Sequence, residues 1–165
     1  MDLQAHVREI QDFPIPGVLF RDITPILESP AALNFALDKM VAHVDLAGID
    51  LIAGIESRGF ILGAALGTRL GKGFVPLRKA GKLPPPVETL EYALEYGTAA
   101  LEMRAGQGRV LIVDDVLATG GTLTAAIALC ARAGYDVVNV SVLINLAQLN
   151  TMTFRGAPVH AVLQY

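Results

Sequence analysis

A chain of 165 residues, 53% of them hydrophobic, is long enough for one domain with its own core and too apolar to stay disordered. Its net charge of −3 argues against a broad nucleic-acid-binding face. A lone cysteine, Cys130, allows no internal disulfide, and no run approaches the ~20 apolar residues that span a bilayer. The first ten residues lack a basic segment followed by an apolar one, so no secretory signal is read there and a cytoplasmic protein is expected.

Taken in chain order, residues 2–11 read as a short helix, which the prolines and glycine of FPIPGVLF (13–20) break. Ser29 is a good N-cap, and Pro30 suits the first helical position. Leu33, Ala36, Leu37, Met40, Val41 and Val44 then recur at helical spacing. A buried strand is expected over 50–54, a helix over 58–70 and a strand over 74–77. Further strands follow over 110–113, 137–144 and 159–163, with a helix over 119–133 that buries Cys130. Strands alternating with amphipathic helices imply an α/β fold, a mainly parallel twisted sheet flanked by helices over 1–165. The proline-rich segment 79–97 has no clear core strand at its start and reads as a lid or binding loop.

The most informative stretch is VLIVDDVLATGGT (110–122). Four apolar residues run into Asp114 and Asp115, and Thr119-Gly120-Gly121-Thr122 then opens a helix. Ligands of open α/β sheets sit beyond the carboxyl ends of the strands. A helix N-terminus offers free N–H groups and partial positive charge to an anion, and glycines let the backbone approach it. The loop therefore suits a phosphate monoester, and the carboxylates suit ribose hydroxyls or a magnesium shell. His6, His43 and His160 are scattered and show no ligand spacing.

This segment resembles the phosphoribosyl-diphosphate signature of type I phosphoribosyltransferases. FRDIT (20–24), ESRGF (56–60), RKAGKLP (78–84), LEYG (94–97) and the terminal LQY resemble the adenine-specific members of that family, in the same order. The stretch after Leu146 is less typical of them.

The resemblance implies transfer of the 5-phosphoribosyl group of phosphoribosyl diphosphate to adenine, giving AMP and diphosphate, with Mg2+ and in a homodimer. It implies a small N-terminal base-binding hood and a mobile lid loop. Ala118 joins Thr119, Gly120, Gly121 and Thr122 in the phosphate loop. Glu56, Ser57 and Arg58 form a diphosphate turn with a cis peptide between the first two, Arg58 acting in catalysis. Arg78, Lys79 and Lys82 would close over diphosphate, although a solvated basic loop is their other reading. Backbone groups near Leu19 and Arg21 would read the adenine edge, and Arg21 would face N7 or the phosphates. Phe20 and Leu146 would cover the two faces of the base, core packing being the alternative for Phe20. Glu95 would be the carboxylate assisting proton movement at N7, its pKa raised in a closed lid. The same fold acting on a 6-oxopurine, or a regulator sensing phosphoribosyl diphosphate, are the competing readings.

Overall fold

The computed structural model describes residues 1–94 and 97–165. The N-terminal segment is not a helix. A single 3-10 turn over Gln4–His6 leads into β1 (Arg8–Ile10), which pairs antiparallel with β2 (Phe20–Asp22). A segment this short cannot sustain a helix alone, and pairing to β2 supplies the hydrogen bonds instead. Asp22 fastens the pair by accepting from Arg8 Nε at 3.0 Å and from the Thr24 backbone N–H at 2.9 Å. The chain continues through α1 (Thr24–Glu28) and α2 (Pro30–Val41), where Ser29 caps α2 by accepting from Ala32 N–H.

The remaining elements alternate as expected. They are β3 (Leu51–Ile55), α3 (Arg58–Leu70), β4 (Gly73–Lys79), β5 (Glu88–Leu94), β6 (Gly97–Met103), β7 (Gly108–Leu117), α4 (Gly121–Arg132) and β8 (Tyr135–Asn145). A two-residue hairpin of β9 (Thr153–Phe154) and β10 (Ala157–Pro158) precedes β11 (His160–Gln164). Seven strands form one sheet in the order β11-β8-β7-β3-β4-β6-β5. The five from β11 to β4 are parallel. The last two are antiparallel and differ from the loop expected over 79–97: β4 runs on to Lys79, and β5 and β6 form a hairpin on its flank. Their signal was present as a period-2 alternation, Leu90 and Tyr92 facing inward between exposed Thr89 and Glu91.

Successive strand residues serve opposite faces. Ile52, Leu111 and Val113 pack under α2 and α3 with Leu37, Met40, Leu62 and Leu66. Ala53, Val110 and Ile112 pack under α4 with Leu123, Leu129 and Cys130. Both faces are therefore covered, and ligands are left the edge where the parallel strands end.

Candidate active site

β3 and β7 lie side by side in parallel, so both deliver their C-terminal ends to that edge. From β3 the chain turns through Glu56 and Ser57, joined by a cis peptide, directly into α3. Here the helix and strand touch: a Cβ on Gly59 would stand 2.9 Å from Asp114 Oδ1 and 3.0 Å from the Val113 carbonyl. Glycine is what lets the start of α3 approach the carboxylates so closely.

β7 extends four residues past the expected 110–113, so Asp114 and Asp115 are part of the strand and do not follow its end. Asp115 is buried and forms an ion pair with Arg58 from the start of α3. Asp114 accepts the Asp115 N–H at 2.9 Å. Burial first, and then the neighbouring Asp115 charge, push the Asp114 carboxyl well above the usual carboxylate range. Asp114 thus favours its proton, while Asp115 is held in place by the Arg58 guanidinium.

Past Leu117, Gly120 adopts φ +92° as the N-cap of α4, and no side chain caps that helix. The first free N–H groups of α4 accordingly face whatever occupies the turn. Thr122 Oγ1 lies 3.3 Å from the Tyr92 hydroxyl of β5, which ties the hairpin to the loop. These parts enclose a cavity of about 470 Å³. Its walls include Glu56, Ser57, Arg58, Lys79, Asp114, Asp115, Ala118, Thr119, Gly120, Gly121 and Thr122, which the sequence had placed together.

Among the described residues, the other expected ones (Leu19, Phe20, Arg21, Arg78, Lys82 and Leu146) lie outside those walls. Arg78 and Lys82 pair with Glu56, at 3.5 Å and 2.6 Å. Glu56 also accepts the Lys79 N–H at 2.9 Å. Burial opposes its charge, but the Lys82 ammonium, the Lys79 N–H and the Arg78 guanidinium together outweigh it and hold the pKa at about 2. Two of the three cations expected over diphosphate therefore share one carboxylate, Glu56 of the cavity wall.

At the β1–β2 end, Leu19 and Phe20 are half-buried, and the Phe20 ring lies 5.3 Å from the Arg58 guanidinium. The aromatic residue thus borders the cavity through Arg58. The Arg21 side chain is not part of the cavity wall: it pairs with Glu9 and stacks over Tyr165 at 4.1 Å. That stack ties β2 to the C-terminus. Leu146 follows β8 and donates its N–H to the Leu117 carbonyl at 2.9 Å, beside the turn that opens α4. Glu95, and Tyr96 with it, lies outside the described residues.

Sequence reasoning missed two residues that support these parts. Glu102, buried in β6, accepts the N–H groups of Gly81, Lys82 and Leu83 at 2.9, 2.7 and 2.5 Å. A charge between the apolar Leu101 and Met103 was its available signal. Asn150 contacts the turn from behind, and no pattern in the sequence pointed to it. Two of the scattered histidines, His43 and His160, stack edge to face at 5.1 Å. Among the described residues no group of three or more His, Cys, Asp or Glu is arranged to hold a metal.

The family profile of the phosphoribosyl transferase domain matches residues 22–151. The adenine phosphoribosyltransferase of Bdellovibrio bacteriovorus is 55% identical over the whole of both chains. The crystal structure of the Rhodothermus marinus adenine phosphoribosyltransferase superposes with a TM-score of 0.89 at 45% identity, covering 99% of this chain and 96% of that one. The Saccharomyces cerevisiae enzyme, solved with an imino-altritol bisphosphate and adenine, gives 0.86 at 36%, covering 98% and 96%. With the edge cavity, the paired aspartates and the glycine turn all inside the matched span, this chain belongs to the phosphoribosyl transferase family, in the group whose members are named adenine phosphoribosyltransferase.

Proposed function

We propose that the protein transfers the 5-phosphoribosyl group of phosphoribosyl diphosphate to adenine, producing AMP and diphosphate. One observation carries the reading: a single cavity joins the Glu56–Arg58 turn, the Asp114–Asp115 pair and the uncapped start of α4. Three parts of the sugar substrate have matching chemistry there. The 5-phosphate suits the backbone N–H groups of 119–122 and the threonine hydroxyls. The ribose hydroxyls suit the two carboxylates. Diphosphate suits the N–H groups at the start of α3 with Arg58, joined by Lys79 and by Arg78 and Lys82 once these exchange Glu56 for substrate.

Substitution at the anomeric carbon builds positive charge on the sugar while negative charge leaves on diphosphate. Arg58, held in advance by Asp115, and Lys79 stabilise that departure. The base must then lie in line, held by the hood made of β1, β2 and the loop between them. β2 is paired on one edge by β1 and is free of sheet partners on the other among the described residues. Free carbonyl and N–H groups near Leu19 and Arg21 can accept from the adenine 6-amino group and donate to N1. A 6-oxopurine would leave both unpaired, which such a site rejects strongly. Phe20 and Leu146 supply apolar faces for the ring. The β5–β6 hairpin serves as the lid, and Glu95, next in the chain after β5, assists the proton at N7.

Magnesium fits this donor set only in part. Asp115 is committed to Arg58 and burial makes Asp114 favour its proton, so the ion would be held mainly by substrate diphosphate oxygens and water, an arrangement common for this cation. When bound, it neutralises diphosphate charge. A homodimer completes the reading, and a lone buried cysteine suits a cytoplasmic setting. No helix among the described residues is long and apolar enough to cross a membrane. The test is an assay of purified protein with phosphoribosyl diphosphate, magnesium and each of adenine, hypoxanthine, guanine and xanthine. AMP and diphosphate from adenine alone are expected. Turnover of a 6-oxopurine instead would replace the base assignment, and no diphosphate from any purine would end the enzyme reading.

A further inference from the structure

We infer that Asn150 is a positioning residue that sets the polarity of the phosphate loop. Its amide sits behind the loop. Nδ2 donates to the Ala118 carbonyl at 2.7 Å, and its second hydrogen is shared between Asn145 Oδ1 at 3.0 Å and the Leu146 carbonyl at 3.1 Å. Oδ1 accepts the Met152 N–H at 3.1 Å. Three oxygens face the nitrogen and one N–H faces the oxygen, so the amide has only one orientation that satisfies its neighbours.

The first of these bonds reaches furthest. In a trans peptide the C=O and the following N–H point in opposite directions. Holding the Ala118 carbonyl outward on Asn150 therefore aims the Thr119 N–H away from Asn150, toward the side where Thr119 lines the cavity. The glycine at 120, with φ +92°, leaves the neighbouring backbone free to rotate unless something holds it. The same connector buttresses that glycine: a Cβ there would stand 3.2 Å from Met152 Sδ. Through the Leu146 carbonyl, the amide also links the phosphate turn to the residue that follows β8. The segment after Leu146 thus acts as a brace for the anion site, although it contributes no residue to the cavity wall.

This inference rests on the phosphoribosyl reading, and its test separates the two. The probes are ribose 5-phosphate, titrated by calorimetry, and steady-state kinetics with phosphoribosyl diphosphate and adenine. Asn150→Ala is expected to raise the Kd for ribose 5-phosphate and the KM for phosphoribosyl diphosphate about tenfold, the worth of one oriented hydrogen bond, while the KM for adenine stays within about twofold. Asn150→Ser, which keeps a donor on a shorter arm, is expected to fall between wild type and Asn150→Ala. An unchanged Kd in either folded variant overturns the inference. So does a rise in the adenine KM equal to that for the sugar, or failure of both variants to fold, since each marks a general structural role. A wild type that binds ribose 5-phosphate but makes no AMP sinks the adenine reading, and the binding arm still decides the role of Asn150.

Discussion

Arg58 sits where three demands meet. Its guanidinium pairs with buried Asp115, its ring-facing side lies over Phe20, and its backbone opens α3. Replacing Asp115 frees the arginine and takes from the wall the carboxylate proposed to meet the ribose hydroxyls. Asp115→Asn is therefore expected to raise the KM for phosphoribosyl diphosphate about tenfold or more, a charged hydrogen bond being worth about 1.5–3 kcal/mol, with little change in the KM for adenine. Steady-state kinetics with each substrate varied in turn would check this, and equal shifts in both would remove the ribose role. At this scale the sequence was informative for residues whose type carries the chemistry. Paired aspartates and a Thr-Gly-Gly-Thr turn announce themselves. Arg21 did not, because its partners Glu9 and Tyr165 lie at opposite ends of the chain and no local pattern joins them.

Among the elements, the loop after β4 shows how a backbone is held for its side chains. Glu102 gathers three consecutive N–H groups of that loop while Glu56 gathers its cations. Burial disfavours charge on Glu102, but the three N–H groups prevail and lower its pKa from the ordinary 4.5. A carboxyl lowered on folding contributes stability that is complete above its unfolded value and is lost as pH falls through its folded value. Glu102→Gln leaves at least one buried donor without its acceptor, so a loss of about 1–3 kcal/mol is expected. The difference in melting temperature between wild type and Glu102→Gln should be widest above pH 4.5 and narrow as the buffer becomes more acidic. A difference independent of pH would mean that the charge is not what matters. The hairpin partnering this loop was hidden from sequence because the prolines at 84–86 dominate the segment. They mark a break without saying that strands resume beyond it.

For the molecule as a whole, alternation of apolar strands with helices was enough to read a mainly parallel sheet, since the central parallel strands β3, β7 and β8 are buried on both faces and so are nearly continuous runs. What alternation could not supply was strand order, which is set by which faces pack and not by any single residue. Assembly is likewise a property of surface. Sedimentation at micromolar concentration is expected to report a particle twice the 17.5 kDa of the chain, and a monomer that still turns over adenine would remove the homodimer from the reading.

The way β6 joins the sheet has a mechanical corollary. Its register with β4 consists of two pairs, Arg78 with Glu102 and Lys79 with Leu101, continued by a single bond from the Ala80 N–H to the Ala100 carbonyl. The β5–β6 ribbon is thus pinned at two places, by this short strip on β4 and by the packing of Leu90 and Tyr92 on the core under α4, where the Tyr92 hydroxyl lies 3.3 Å from Thr122 Oγ1. A substitution that loosens the second hold leaves the strip bearing Arg78 and Lys79 to carry the ribbon alone.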